Sequence, residues 1–110
     1  VAVDVVYSGT LLTNVEDEVI VATSTGVVLD AVRYDGGATF PNPTGASMSL
    51  DPTATNASDN DVGGNWCEGS TAYGEGDLGT PGTPNPACPV IDTGDTPLSA
   101  TEGEFLKAYF

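Results

Sequence analysis

Apolar positions are concentrated in short runs near the start of the chain, and turn residues separate these runs. β-Branched Val is frequent in residues 1–7, 18–22 and 27–34, and Ser24-Thr25-Gly26 separates the last two runs. β-Branched residues favour strands, and a short loop with Gly between two such runs is typical of a β-hairpin. The pattern predicts a strand over 1–7 and a hairpin built from 18–22 and 27–34.

A further strand is predicted over residues 46–50, where Met48 and Leu50 alternate with Ser47 and Ser49. Alternation with a period of two is the pattern of a strand that has one buried and one solvated face. We therefore expect Met48 and Leu50 to be buried and the two serines to face water.

Residues 51–89 consist mainly of Gly, Pro, Asn, Asp, Ser and Thr, which predicts an ordered loop rather than sheet. A loop of this length is usually either disordered or functional. Trp66 favours order, because one large aromatic side chain can bury about 200 Å²; stacking of Trp66 on a ligand is the alternative. The apolar side chains expected to anchor the loop are Val62, Trp66, Tyr73 and Leu78.

The two cysteines, Cys67 and Cys88, lie in this Gly- and Pro-rich segment. Their spacing is not that of zinc ligands, and the chain has no His to complete a metal site. A disulfide is the favoured interpretation, and it would stabilise the fold by about 3 kcal/mol through loop closure. It predicts an oxidising compartment such as the periplasm, the cell surface or the medium; two free buried thiols are the alternative.

The charge of the chain excludes several kinds of partner and of chemistry. There are 16 Asp+Glu against 2 Lys+Arg and no His, which gives a net charge of −14. Nucleic-acid binding requires cations that neutralise phosphates, so neither nucleic acid nor an anionic membrane is expected. No apolar run reaches the roughly 18 to 20 residues that cross a bilayer. Because no nucleophile is paired with a base, we predict that the protein is not an enzyme.

Side chains with oxygen atoms are frequent in one part of the loop. Calcium is therefore the one cofactor that the sequence leaves as an alternative. Ca²⁺ requires six to eight oxygen ligands at about 2.4 Å, and the segment lacks the Gly and the distant Glu of an EF-hand. A solvated, turn-forming loop is therefore the favoured interpretation, and no cofactor is required. The candidate calcium ligands are Asp51, Asp59 and Asp61.

The last part of the chain is apolar and aromatic, and it is expected to dock on this domain or on a neighbour, because such residues rarely lie free in water. Its sequence suits a strand, which we favour, or a short helical turn after a capping box. We therefore divide the chain into a module over 1–89 and an extension over 90–110. The docking residues are Phe105, Leu106, Tyr109 and Phe110.

Several segments, in their order and spacing, resemble the second half of bacterial lamin-tail domains. The most specific of them is Gly-Thr-Pro-Gly-Thr-Pro-Asn at 79–85, and the resemblance covers about residues 5–88. It implies an all-β, immunoglobulin-like β-sandwich of an exported protein. It also implies that Phe40 takes the place often held by Trp, and that Trp66 is a core anchor beneath the closing loop. The other segments are 17–21, 26–34, 40–50 and 65–67.

The functional prediction depends on how the chain differs from the family pattern. The opening strands of the family have no counterpart here, and the chain begins with Val1 rather than Met, so we expect upstream sequence to be missing. Half a sandwich leaves backbone N–H and C=O groups unpaired at its edge, and such an edge pairs readily with another strand. The expected fold is thus an incomplete sandwich that a neighbouring chain or strand completes.

The predicted function is therefore that of a non-enzymatic structural or adhesive module of a surface protein, filament or larger complex, located outside the cell or on its surface. Its expected partners are copies of itself or a larger exported assembly. The alternatives are an accessory domain of a secreted hydrolase and a calcium-dependent binding module.

Overall fold

Strands make up nearly all of the regular structure in the residues that the structure, a computed structural model, describes: 2–3 and 6–90. Within this part of the chain the strands form three separate two-stranded antiparallel sheets. The prediction of an all-β fold is confirmed. The elements are β1 (Asp17–Ala22), β2 (Val28–Tyr34), β3 (Met48–Leu50), a 3₁₀ turn (Gly63–Asn65), β4 (Trp66–Glu68), β5 (Ala72–Tyr73) and β6 (Asp77–Leu78).

The predicted hairpin is confirmed as β1 paired with β2, with Asp17 opposite Tyr34 and a bulge between Val21 and Ala22. Gly26 closes its turn at a φ of 87°, a conformation that glycine adopts without strain. The Gly26 N–H donates to the Thr23 carbonyl at 2.9 Å. The strand predicted over 1–7 is not found in the described residues of that range, because no neighbouring strand accepts its backbone hydrogen bonds.

The third predicted strand is present, and Ser47 is exposed as expected, but the burial of the other residues differs from the prediction. Ser49 is buried, with 3% of its surface exposed, whereas Met48 and Leu50 are only half-buried. Ser49 lies opposite Cys67 of β4, so the serine face is the one that the disulfide covers. Serines are small, which lets backbone approach closely: a Cβ placed on Gly69 would lie 2.8 Å from the Ser47 hydroxyl. The alternation located the strand correctly, but it did not predict that Ser49 is buried.

The segment predicted as loop contains short strands, so that prediction is wrong in part. β5 and β6 form a small hairpin, and Leu78 joins the upstream end of β3 through a parallel bridge with Ala46. The Ser47 N–H donates to the Leu78 carbonyl at 2.8 Å. Segments of two or three residues have too little periodicity to be recognised in sequence.

The small core lies between the loop and β4. Phe40 is 5% exposed and packs on the half-buried Trp66, with ring centroids 6.2 Å apart. Ala54 is also buried. Val62 is 53% exposed, so its prediction as an anchor is wrong. It contributes its backbone instead, since its N–H donates to the Asp59 carbonyl and its carbonyl accepts from the Asn65 N–H.

The other two predicted anchors lie away from this core. Leu78 is half-buried beside Ala46, but Tyr73 is exposed, so the prediction for Tyr73 is also wrong. Tyr73 belongs to a two-residue strand next to a tight turn. A strand that short at the molecular surface gives its side chain little to pack against.

Candidate functional site

The end of the β1–β2 hairpin, residues 19–29, exposes large aliphatic side chains; we call it the hairpin tip. Each of these side chains has between 46% and 60% of its surface exposed. The hairpin tip carries no charged residue, in a chain with 16 carboxylates. Contiguous exposed apolar surface of this kind marks interaction sites. The aliphatic residues are Val19, Ile20, Val21, Val27, Val28 and Leu29.

The apolar residues of the hairpin tip occupy both faces of the ribbon. Val19 lies opposite Val32 on one face, and Ile20 lies opposite Ala31 on the other, because successive side chains of a strand alternate between faces. A two-stranded ribbon alone is marginally stable in water, and cover on one face or further strands are needed. We therefore expect the hairpin to become more stable when another surface covers it.

The β2 side of the hairpin is tied to the rest of the molecule. Asn60, which is buried, donates from its side-chain amide to the Asp30 carboxylate at 2.6 Å. The Asn60 backbone carbonyl in turn accepts from the Trp66 indole N–H at 2.8 Å. The Tyr34 hydroxyl donates to the Thr13 carbonyl at 2.7 Å. The Asn60 bond fixes β2 against the loop, which leaves β1 as the outer strand, and the Tyr34 bond ties β2 to the segment that precedes β1.

β1 has an open edge in the described part of the chain, where it pairs with β2 alone. The Glu18 N–H donates to the Asp17 carboxylate at 2.9 Å rather than to a neighbouring strand, and the Thr13 N–H donates to the same carboxylate. These bonds, from Thr13 first and then from Glu18, lower the pKa of Asp17. A salt bridge of 2.7 Å from Arg33 to Glu18 crosses the two strands.

The predicted disulfide between Cys67 and Cys88 is confirmed. It is accompanied by Asp51, whose carboxylate accepts the Cys88 N–H at 2.8 Å. The Thr53 hydroxyl and N–H donate to the same side chain and, together with the Cys88 N–H, lower the pKa of Asp51. The disulfide is compatible with an oxidising compartment.

The three candidate calcium ligands are engaged separately. Asp51 serves the disulfide loop, and Asp59 accepts a hydrogen bond from the Asn56 side-chain amide. Asp61 is exposed in the following turn. In the part of the chain that the structure describes, no three Asp, Glu, Cys or His side chains are placed to share a metal ion. Calcium binding stays a prediction that this arrangement does not favour.

Phe40 and Trp66 line a cleft of about 740 Å³ beside the disulfide. Asp51, Glu68 and Val90 are among the other residues that line it. Because the Trp66 indole N–H is already bonded to Asn60, only the ring is available to a ligand. Its lining combines apolar and aromatic side chains with two carboxylates.

Sequence reasoning did not predict the hydrogen-bonding roles of Asp35 and Asn60. The Asp35 carboxylate accepts hydrogen bonds from the Thr39 hydroxyl and N–H and from the Phe40 N–H, which lowers its pKa to about 2. The sequence signal for a loop held by an Asp carboxylate in this way is an Asp four residues before a Thr in a Gly-rich turn. Asn60 gave no local signal, because its partners Asp30 and Trp66 are distant in sequence. Its side-chain oxygen is buried and has no hydrogen-bond partner among the described residues.

The predicted docking residues Phe105, Leu106, Tyr109 and Phe110 lie outside the described residues. In the described ranges no helix is long and apolar enough to span a membrane. No protein-family model, curated protein or solved structure matches the chain. Function is therefore inferred from the geometry of the hairpin tip and of the disulfide-linked loop.

Proposed function

We propose that this chain is a non-enzymatic structural or adhesive module that acts by pairing its β1–β2 hairpin with strands of another polypeptide. The module belongs to an exported surface protein, filament or larger complex. The observation that carries the proposal is the hairpin tip, which is apolar on both faces and uncharged in an otherwise acidic chain.

The energetics favour covering the hairpin tip. Each of its six aliphatic side chains is about half exposed, and completing the burial of one such side chain contributes on the order of 1 kcal/mol. Further strands also supply partners for the open edge of β1. A lone two-stranded ribbon is only marginally stable in water, so covering the hairpin tip would stabilise the hairpin.

A lamin-tail type of immunoglobulin-like sandwich, lacking strands that the partner supplies, is the fold that we propose for the assembled state. The closing motif at 79–85 supports this fold because it forms hydrogen bonds with β3. The Asn85 side-chain amide donates to the Leu50 carbonyl at 2.9 Å, and the Thr80 hydroxyl donates to the Asn85 side-chain oxygen at 2.6 Å. The motif thereby seals the β3–β4 sheet and leaves the β1–β2 hairpin for association.

The acidic surface and the disulfide support an extracellular or cell-surface location. A crosslink between cysteines persists in oxidising surroundings and not in the reduced cytoplasm. A net charge of −14 keeps the modules apart except where their uncharged surfaces meet. Association is thereby directed to the hairpin tip.

The proposal is tested on the purified chain by light scattering, by binding of a hydrophobic dye and by hydrogen exchange of residues 17–34. We expect either an assembled species with slow exchange in the hairpin, or a monomer that binds the dye and exchanges rapidly there. A monomer that binds no dye and protects both strands would contradict the proposal, since its hairpin would already be covered.

A further inference from the structure

We propose that residues 105–110 of this chain, which we call the aromatic tail, dock in the cleft beside the disulfide. In the docked state an aromatic ring of the tail covers Trp66, and Lys107 pairs with Glu68. The aromatic tail lies outside the described residues, and its sequence is Phe-Leu-Lys-Ala-Tyr-Phe. The inference does not rest on association of the hairpin; it names a second interaction surface and the segment that occupies it.

The cleft has the size and the lining to hold aromatic side chains. Its volume of about 740 Å³ lies within the roughly 300–1,000 Å³ of pockets that bury small ligands. Trp66 is half-buried, and it lines the cleft together with Phe40 and the disulfide. The Trp66 indole N–H already donates to the Asn60 carbonyl at 2.8 Å. A second aromatic ring can therefore pack on Trp66 without leaving a polar group unpaired.

The turn that precedes Trp66 is closely packed at one glycine and open at the next. A Cβ placed on Gly63 would overlap the Thr39 carbonyl, so backbone packs against backbone there. A Cβ placed on Gly64 would meet no atom within 4 Å. Both glycines line the cleft. The lining beside Gly64 therefore leaves room for side chains from another segment.

The aromatic tail is connected to the chain at the cleft itself. Val90 lines the cleft, has 93% of its surface exposed and is the last residue that the structure describes. A chain of the roughly 15 residues that separate Val90 from Phe105 spans about 20 Å on average, and it contains the turn residues Gly94 and Pro97. A tether of this length gives an effective concentration of about 1 mM. A separate polypeptide of similar chemistry would have to compete with it.

The charges of the cleft also match the aromatic tail. Of the two cations in the chain, Arg33 is engaged in a salt bridge with β1, and the other is Lys107. The aromatic tail contains Lys107 and no Asp or Glu. Two carboxylates, those of Asp51 and Glu68, line the cleft. The Asp51 carboxylate already accepts backbone hydrogen bonds, so Glu68 is the partner that we assign to Lys107.

The hairpin tip is the other exposed apolar surface, and it suits the aromatic tail less well. It has no charged residue, so it offers Lys107 no opposite charge. Covering a cation without a partner is costly. The cleft combines apolar contact with carboxylates, and this combination favours it over the hairpin tip for a segment that carries a lysine.

The first test is acrylamide quenching of Trp66, the single tryptophan, in the full chain. The test variant is Phe105→Ser/Phe110→Ser. The control is Val3→Ser/Val6→Ser, which removes two exposed apolar side chains near the other end of the chain. After circular dichroism has shown that each variant folds, we expect stronger quenching and an emission shift to longer wavelength in the test variant. The control should match the unmodified chain.

The second test exchanges the charges. Lys107→Glu should increase the quenching of Trp66, because it places a like charge beside Glu68. Adding Glu68→Lys to this variant should restore the protection of Trp66. Adding Glu75→Lys instead should not restore it, since Glu75 is exposed and does not line the cleft. Equal restoration by both substitutions overturns the pairing of Lys107 with Glu68.

A direct measurement uses the unmodified chain. We expect nuclear Overhauser effects between the Trp66 ring and the aromatic rings of the tail, with intensities that do not depend on protein concentration. Contacts that arise only as the concentration increases would show that the tail docks on a neighbour, and they overturn the inference. Quenching of Trp66 that Phe105→Ser/Phe110→Ser leaves unchanged overturns it as well.

These outcomes are separate from the test of the proposed function. Hydrogen exchange of residues 17–34 reports on the hairpin, whereas Trp66 reports on the cleft. Failure of the tail to protect Trp66 leaves the hairpin result unaffected. A monomer whose hairpin is already protected contradicts the proposed function and leaves the docking of the tail to be judged from Trp66 alone.

Discussion

The β1–β2 hairpin and the disulfide-linked part of the molecule, residues 35–90, differ in what stabilises them. The hairpin holds six Val and Ile residues, against two in residues 35–90, and the longest backbone ladder, but much of its apolar surface is exposed. Residues 35–90 have few aliphatic side chains, and they contain Phe40, Ala54 and the one disulfide seen in the described residues. The carboxylates of Asp35 and Asp51 accept backbone hydrogen bonds that secure the loops around this core.

This difference shows that apolar composition alone does not locate a core. Burial requires a second surface, and in residues 35–90 that surface is supplied by loops fixed through side-chain hydrogen bonds and a covalent link. The hairpin has regular secondary structure without such cover. We therefore expect substitutions in residues 35–90 to change the free energy of unfolding, and substitutions in the hairpin tip to change association.

The largest expected effect is that of Phe40→Ala. Removing the most buried aromatic side chain and its contact with Trp66 should lower the free energy of unfolding by about 3 kcal/mol or more. Urea denaturation followed by the fluorescence of Trp66, the single tryptophan, measures it. Val62→Ala is the control and should change stability by less than about 0.5 kcal/mol. Equal effects of the two substitutions would contradict the assignment of the core.

Loss of the disulfide is expected to come next. Cys67 and Cys88 are 21 residues apart, and opening a loop of this length costs about 3 kcal/mol in the chain-entropy model. The double variant Cys67→Ser/Cys88→Ser should lower the urea midpoint accordingly, and reduction of the unmodified chain should lower it similarly. A midpoint that neither treatment changes would show that hydrogen bonds alone hold the loop.

A smaller, pH-dependent effect is expected from Asp35. Its pKa is about 2 in the folded protein, against 3.8 as the ordinary value, so its stabilising contribution is present above about pH 4 and is lost as the pH falls towards 2. Asp35→Asn should flatten the decline in unfolding free energy between pH 5 and pH 2.5. Glu75→Gln is the control, because it removes an exposed carboxylate and changes the net charge by the same amount. An unchanged pH profile in Asp35→Asn would contradict this role.

The smallest effect on stability is expected at the hairpin tip. Leu29→Thr replaces an exposed side chain in a strand by another β-former, so the free energy of unfolding of the monomer should change by less than about 0.5 kcal/mol. Denaturation at a protein concentration low enough to keep the chain monomeric measures it. A loss above about 2 kcal/mol would show that Leu29 is covered within the monomer and would remove the contrast between the two regions.

The sequence was sufficient to predict the hairpin, because its β-branched runs and Gly26 act locally. It was also sufficient for the disulfide, since two cysteines in a loop without His leave few alternatives. The buried side of β3 could not be predicted, because Ser49 is covered by Cys67 and Cys88, which are distant in sequence. Val62 and Tyr73 failed as anchors for the same reason: hydrophobicity does not indicate whether a packing surface is present.

The candidate site was predictable only in part. β1 pairs with β2 alone among the described residues, and the incomplete sandwich, which the family resemblance and not the residue pattern suggested, stays a prediction. The network from Asp30 through Asn60 to Trp66, which leaves β1 as the outer strand, depends on contacts across 30 and six residues. Such contacts have no signature in a single sequence.

The position of the disulfide has a mechanical consequence for a module in a filament or at a surface. Tension applied through the segment after Cys88 passes through the crosslink to β4 and bypasses the 20 residues in between. That stretch holds about 70 Å of contour length in reserve, at about 3.5 Å per residue, which single-molecule pulling would release only after reduction. The covalent clamp thus makes the extensibility of this part of the protein depend on the redox state of its surroundings.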